Sequence, residues 1–310
     1  SRMRERPIGD LIKSLTQLGA QVTGTDHSLA GICPPLTINA SGLQGGKTEI
    51  SGTISSQFLS ALLMVAPYAN IPVEIVVTSE LGSKPYVDMT LSIMTEFGIK
   101  CERDGYKRFL VRPAKYRSVL NYVIESDASS ASYFFAASAI CGGSVRVENI
   151  NRKSKQGDIQ FLDILEKMGC RVIEENNSIE VVGSAQLIGV EVDMRDISDT
   201  AQTLAAIAPF AKNPTHIYGI ASARVKETDR VRATCTELRR IGVSVEEHAD
   251  GWTIYPAEKI HGALIQTYND HRMAMAFSLI GLRVAGIYIE NPGCVSKTFP
   301  DFFSRLEHLR

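Results

Sequence analysis

Apolar positions in this chain recur in blocks of helical spacing, and the blocks themselves recur. Helical segments around Asp88, Asp158, Asp229 and Asp301 follow one another at intervals of 70, 71 and 72 residues. Three of them stop at a glycine (Gly98, Gly169 and Gly242), and each stop is followed by a short polar-apolar alternation of the strand period. Strand pairs are predicted at residues 171–173 with 179–182 and at 243–246 with 252–255, joined by Asn176-Asn177 and Asp250-Gly251 turns. Another apolar run lies ahead of each repeated helix, and its start is polar: Ser55-Ser56-Gln57, Asp127-Ala-Ser129-Ser130, Ser198-Asp199-Thr200 and Asn269-Asp270-His271. Such side chains accept hydrogen bonds from the open amides of a first turn, so each cluster predicts a helix N-cap. The pattern predicts a βαβαββ unit used four times. A fifth helix, at residues 7–18 with its stop at Gly19, has too little chain ahead of it for the front half of a unit, so the chain is expected to begin in mid-repeat.

At 310 residues the length favours two domains, each large enough for its own core. The basic, loop-like stretch at 113–121 is the expected hinge, giving domains 1–121 and 122–310. A composition of 44% hydrophobic and 22% charged residues with net charge −1 is that of a soluble globular protein, and its bulk charge argues against a nucleic-acid partner. The longest apolar stretches, 61–66 and 274–285, are too short or too interrupted to span a bilayer, so no membrane partner is expected. Six cysteines are widely spaced, without Cys-x-x-Cys and without metal-ligand spacing to the six histidines; they read as reduced thiols, with no metal site. No signal or transit segment is visible, which points to the cytoplasm, or to a plastid for a plant source.

Several clusters have both a bland and a chemical reading. Arg2-Met-Arg4-Glu5-Arg6-Pro7 reads as a solvated helix start with proline in the first turn, and Ser83-Lys84-Pro85-Tyr86 as an ordinary turn. In Arg224-Val-Lys226-Glu227-Thr-Asp229-Arg230, helical spacing would set Glu227 between Lys226 and Arg230 on one face. That arrangement is either a surface ion-pair network, worth about 0.5 kcal/mol per pair, or an anion site containing an acid. Asp270-His271-Arg272 opens an almost wholly apolar helix. A cation there is disfavoured by the helix dipole, so Arg272 predicts a compensating anion. Lys297 repeats the arrangement ahead of the Asp301 helix, and His271 reads as a hydrogen-bonded structural histidine.

Taken together these motifs resemble the 5-enolpyruvylshikimate-3-phosphate synthase family. The residues that carry the resemblance are Arg2-Met-Arg-Glu-Arg-Pro-Ile, Ser55-Ser-Gln-Phe-Leu, Ser83-Lys-Pro-Tyr, Asp127-Ala-Ser-Ser-Ala-Ser-Tyr, Gln156-Gly-Asp, Arg224-Val-Lys-Glu-Thr-Asp-Arg, Tyr268-Asn-Asp-His-Arg-Met-Ala-Met and Lys297-Thr-Phe-Pro-Asp. All stand in the family's order and span the chain. The resemblance implies a two-domain α/β enolpyruvyl transferase fold of six βαβαββ units closing over a cleft. About four and a half units are present here, an incomplete upper domain and a lower domain of three. It also implies transfer of the enolpyruvyl group of phosphoenolpyruvate to the 5-hydroxyl of shikimate 3-phosphate with release of phosphate, by a chain that is a monomer when complete and uses no cofactor.

Carried over by motif, Ser55, Ser56, Gln57, Ser83, Tyr86, Ser222 and Lys226 match contacts to shikimate 3-phosphate. Asp199 matches the carboxylate that orients and deprotonates the attacking hydroxyl, and Glu227 the acid that protonates the methylene carbon of phosphoenolpyruvate. Arg2, Arg230, Arg272 and Lys297 match the cations on phosphoenolpyruvate, with Gln57 between the two substrates. Two polyanionic substrates call for such cations, and planar arginine forks suit carboxylate and phosphate. Addition to the vinyl carbon calls for a proton donor and a separate proton acceptor, hence two carboxylates. The unit beginning near Asp127 is expected to contribute mainly structure. The chain departs from the family in lacking counterparts of its Pro-Gly-Ser-Lys-Ser motif and Asn-Ala-Gly-Thr loop, and in carrying Ser222 where relatives often have asparagine. A second reading is a non-catalytic fragment or split-enzyme half that binds shikimate 3-phosphate without turnover. A sister transferase acting on a nucleotide sugar fits the Lys226 and His271 motifs less well.

Overall fold

Among the described residues the βαβαββ order predicted from the repeat is complete twice. In a computed structural model, which describes residues 2–27, 31–39, 41–53 and 55–309, the chain divides into two compact units, Ser1–Val123 and Ile124–Arg310. The first unit opens with helix α1 (Gly9–Gln17) and an antiparallel ribbon of β1 (Gln21–His27) and β2 (Gly31–Asn39). One full repeat follows: β3 (Gly46–Ile50), α2 (Ser56–Val65), β4 (Val73–Val77), α3 (Lys84–Glu96), β5 (Cys101–Asp104) and β6 (Arg108–Val111). Its sheet has the order β3-β4-β6-β5, with β3 and β4 parallel and the closing hairpin antiparallel.

The second unit contains three repeats. The first runs α4 (Ala128–Cys141), β7 (Ser144–Glu148), α5 (Phe161–Lys167), β8 (Arg171–Glu175) and β9 (Ser178–Val182). The leading strand that the βαβαββ order would put ahead of Asp127 does not form among the described residues, where Val123 and Ile124 are 77% and 78% exposed. The second repeat is complete: β10 (Glu191–Asp193), α6 (Ala201–Ile207), β11 (Thr215–Tyr218), α7 (Arg230–Arg240), β12 (Val245–His248) and β13 (Gly251–Ile254). Its sheet order, β10-β11-β13-β12, repeats that of the first unit. The third runs β14 (Leu264–Ile265), α8 (His271–Ile280), β15 (Tyr288–Ile289) and α9 (Phe302–Glu307), with β14 and β15 parallel.

Each unit has its own apolar core. In the second unit the centre is made by the leading helix of each repeat: α4, α6 and α8 pack against one another and are buried nearly all round. A helix apolar on every face belongs in a core, and serines inside these helices turn back onto their own backbone, Ser132 Oγ to Ser129 O at 2.6 Å and Ser278 Oγ to Met275 O at 2.7 Å. Ser132 and Thr203, both near the start of their helices, approach to 3.2 Å, so α4 and α6 enter the core side by side. All six cysteines are unpaired thiols. Among the described residues no helix is long and apolar enough to cross a membrane.

Candidate active site

Because α4, α6 and α8 are buried side by side, their polar N-termini gather at one end of the second core. Asp270 caps α8, its carboxylate accepting from Arg272 N at 2.9 Å. Asp199 sits in the 3-10 turn Ser198–Thr200 that leads into α6. Arg230 is the first residue of α7, behind the cap Asp229, whose carboxylate accepts from Arg232 N at 3.0 Å. That cap ends the helix there, so Lys226 and Glu227 lie in the preceding loop and not on a helical face with Arg230. The Glu227–Arg230 pair forms nonetheless, at 2.7 Å.

Arg230 is the hub. Its side chain is 2% exposed and meets three carboxylates: Asp270 through Nε at 2.8 Å, Asp199 at 3.1 Å and Glu227 at 2.7 Å. Arg272 donates to the Asp199 carboxylate at 2.8 Å, to the Asp199 carbonyl at 3.2 Å and to the Tyr133 hydroxyl at 3.4 Å. Lys297, half exposed, pairs with Glu227. The anion that the sequence predicts beside Arg272 is thus present within the chain, as Asp199. Arg224 does what the bland reading of its motif expects, pairing with Asp229 and Glu247 and donating to the carbonyls of His248 and Ala249.

These pairings decide the protonation states. Burial works to raise the Asp199 pKa, but Arg272, Arg230 and Lys226 together hold it well below the usual carboxylate range. Burial is likewise outweighed at Glu227, where Arg230 and Lys297 bring the pKa down to about 2. Asp158, 4% exposed in the 3-10 turn Gly157–Gln160, goes the other way. Burial first and the Asp199 charge second raise it to about 6, against a hydrogen bond from Ser129 Oγ. His271 is lowered to about 4, by burial and then by Arg272, and is neutral near pH 7. Its Nδ1 lacks a hydrogen-bond partner among the described residues, unlike the bonded histidine expected from the sequence.

A pH dependence follows. Glu227 has a folded pKa below its unfolded value of about 4.3, so its pairing stabilises the fold above that pH, and the contribution is lost as pH falls toward about 2. Asp158 has a raised folded pKa, so its burial costs stability as pH rises from about 4 to about 6. Urea titrations are expected to show Asp158→Asn more stable than the parent at pH 7 but not at pH 4. Equal stability at both values would contradict the assignment.

The first unit presents the other motif residues. Ser55 caps α2, its Oγ accepting from Gln57 N at 3.2 Å; Ser56 is buried and Gln57 exposed. Ser83 caps α3 in a left-handed conformation, φ 55°, and its carbonyl accepts from Tyr86 N at 3.2 Å. The N-termini of α2 and α3 lie side by side, since Gly82 N donates to Gly52 O at 3.3 Å and Ser60 and Thr90, further into their helices, meet at 2.8 Å. Arg2 belongs to the 3-10 turn Arg2–Glu5, and its side chain lies outside the described residues. Ser222, in the second unit, lies half-buried in the turn Ala221–Val225.

Two side chains of the Asp127 repeat lie beside the residues singled out from the sequence: Tyr133, whose hydroxyl accepts from Arg272, and Asp158, which feels the Asp199 charge. The signals were present in Asp127-Ala-Ser-Ser-Ala-Ser-Tyr and Gln156-Gly-Asp, both of which stand in the resemblance without a role. Among the described residues no group of three or more His, Cys, Asp or Glu is placed to hold a metal ion.

Repeated βαβαββ units with a cluster of cations and carboxylates at their helix N-termini define the class, an α/β repeat protein. The chain matches the family described as EPSP synthase (3-phosphoshikimate 1-carboxyvinyltransferase) over residues 1–306, and it belongs to that family of transferases. It is 50% identical over 309 residues to the 3-phosphoshikimate 1-carboxyvinyltransferase of Shewanella denitrificans, covering 99% of this chain and 71% of that one. It is 50% identical over 318 residues to the chloroplastic 3-phosphoshikimate 1-carboxyvinyltransferase of Brassica napus, covering 99% of this chain and 61% of that one. A solved structure of EPSP synthase from Acinetobacter baumannii matches with a TM-score of 0.80 at 26% identity, over 99% of this chain and 71% of that one. The family and fold expected from the motifs and the repeat are those the comparisons return.

Proposed function

We propose that the chain transfers the enolpyruvyl group of phosphoenolpyruvate to the 5-hydroxyl of shikimate 3-phosphate, releasing phosphate, a step toward aromatic compounds. The observation that carries the reading is the meeting of Asp199, Glu227, Arg230, Arg272 and Lys297 in one cluster at the helix N-termini of the second unit. Arg272 and Lys297 reach the cluster edge and grip the phosphate and carboxylate of phosphoenolpyruvate, with Arg230 behind them and Arg2 as a further cation. Ser55, Ser56, Gln57, Ser83, Tyr86, Ser222 and Lys226 hold shikimate 3-phosphate.

The depressed carboxyl pKa values bear on the mechanism. With its pKa brought down to about 2, Glu227 is ionised at neutral pH and has no proton to deliver while these ion pairs stand. Substrate anions compete for the cations that keep it so. When Lys297 turns to phosphoenolpyruvate, Glu227 loses that stabilisation and its pKa rises, so it takes up a proton and can pass it to the methylene carbon. Arg272, turning to the same substrate, likewise strengthens Asp199 as the acceptor of the 5-hydroxyl proton. In the elimination half of the reaction the methyl carbon returns a proton to the Glu227 carboxylate, the bond from the central carbon to the phosphate oxygen breaks, phosphate departs and the double bond re-forms. His271, neutral near pH 7, carries no charge into either step.

The test is phosphate release from phosphoenolpyruvate, measured with and without shikimate 3-phosphate, for residues 1–310 alone and with an added N-terminal piece of a relative. Release that requires both substrates is expected, and its absence in both preparations would overturn the proposal. The added piece matters because the chain spans 71% of the Shewanella relative and 61% of the Brassica relative. Release only with that piece, together with calorimetric binding of shikimate 3-phosphate by the chain alone, would support the split-enzyme reading.

A further inference from the structure

The segment that delivers Asp270 and Arg272 to the cluster has an unusual backbone. Tyr268 and Asn269, two consecutive residues that are not glycine, have φ of 54° and 60°, in the left-handed region that a Cβ disfavours. A turn that needed only the shape would be met by glycine. Here both side chains are used as ties. The Tyr268 hydroxyl donates to Glu237 Oε1 at 2.7 Å, and Asn291 Nδ2 donates to Asn269 Oδ1 at 3.0 Å.

Each tie reaches an element that bears a cation of the cluster. Glu237 lies on α7 seven residues after Arg230, two turns along the same face. It is fully buried, and it also accepts from Arg240 Nε at 2.8 Å and Gln266 N at 3.1 Å, so its carboxylate is fixed from both sides. Asn291 caps the 3-10 turn Pro292–Lys297, whose last residue is the cation paired with Glu227. Immediately after the strained pair, Asp270 N donates to Thr267 O at 2.8 Å, and its carboxylate engages Arg230 and the Arg272 amide. The Tyr268-Asn269 turn is therefore pinned to the helix of Arg230, begins the helix of Arg272 and is tied to the turn of Lys297.

We propose that Glu237, Tyr268 and Asn291 are positioning residues: their bonds to the left-handed Tyr268-Asn269 turn hold Arg230, Arg272 and Lys297 in register for one anionic ligand. The inference rests on the reading of those cations as the grip on phosphoenolpyruvate. None of the three positioning residues needs to touch the ligand. Their contribution is preorganisation, which costs nothing at the moment of binding because the fold has already set the geometry.

The variants to make are Tyr268→Phe, which removes only the hydroxyl, Asn291→Ala, which removes the second tie, and Asn269→Gly, which removes the same tie but accepts the left-handed backbone without strain. Two readouts are needed, steady-state kinetics and calorimetric binding of inorganic phosphate, in the preparation that turns over best. Tyr268→Phe is expected to raise KM for phosphoenolpyruvate about tenfold, the scale of one hydrogen bond to a charged group, with KM for shikimate 3-phosphate changed less than about twofold. Phosphate binding should weaken in parallel. Asn291→Ala should act in the same direction and Asn269→Gly less, since glycine keeps the turn shape. A drop in thermal stability with unchanged KM and unchanged phosphate binding in both Tyr268→Phe and Asn291→Ala would make the clasp merely structural and overturn the inference. Should Tyr268→Phe fail to fold, Asn291→Ala decides by the same criteria. A parent protein that binds phosphate without turnover, with binding weakened in the variants, would sink the proposed reaction and leave the clasp standing. Normal turnover with unaffected variants would sink the clasp alone, and a parent that binds no phosphate would sink both.

Discussion

Asp199→Asn is expected to lower kcat about 10²–10⁴-fold, the range of a lost general base, in the preparation that releases phosphate. Asparagine keeps the shape of the side chain but cannot take up the hydroxyl proton. It also removes the charge that Arg272 and Arg230 face at 2.8 and 3.1 Å. Those guanidinium groups are then more available to a substrate anion, so KM for phosphoenolpyruvate is expected to stay level or fall. The split matters, because a variant that merely disordered the site would raise KM as kcat dropped. Steady-state phosphate release against both substrates reads both parameters, and a kcat within tenfold of the parent would remove Asp199 from the role of base. Glu227→Gln should also lose kcat, with a weaker effect on binding, since Lys297 gains a free charge where it loses an ion pair.

The largest loss of stability is expected at Arg230. Its guanidinium is the common partner of Asp199, Glu227 and Asp270, and Asp270 is wholly buried. Arg230→Met fills much of the volume but leaves three carboxylates facing one another without that cation. Breaking a buried pair by removing one partner costs about 3–5 kcal/mol, read here as a shift in the urea unfolding midpoint of the second unit. Arg230→Lys is expected to recover only part of this, because one ammonium cannot reach three carboxylates as a planar fork does. Adding Asp270→Asn to Arg230→Met should restore some of the lost stability by removing a buried charge. An unchanged midpoint for Arg230→Met would mean that the carboxylates find other partners, and the hub would lose its structural meaning.

The way the repeat is built explains how much of this was visible beforehand. Helix caps such as Ser55, Asp127 and Asp270 announce themselves because a cap bonds to an amide two residues away, and the structure has each of those bonds. The strand hairpins after Gly169 and Gly242 were legible for the same reason, since alternation and turn chemistry are local. Lys226 and Glu227 were harder. Their spacing to Arg230 suits a helix, but Asp229 makes a better cap than either and starts α7 after them. The leading strand of the Asp127 repeat teaches the same lesson from the other side, because a strand is held by pairing and packing and Val123 and Ile124 are instead exposed.

What the sequence by itself determined is the unit and its punctuation: a βαβαββ period, capped helices, and motifs that place this chain in its family. What only the tertiary structure decided is which of those helix N-termini meet. Tyr133 touches Arg272 across 139 positions, Asp270 reaches Arg230 across 40, and Tyr268 finds Glu237 across 31. No local pattern encodes such pairs, since each depends on elements far apart in the chain being packed together. Protonation followed packing in the same way. Asp158 and Asp199 are the same residue type, each in a 3-10 turn that leads into a helix. The carboxyl of Asp199 faces two arginines and that of Asp158 is dominated by burial, so their pKa values move in opposite directions.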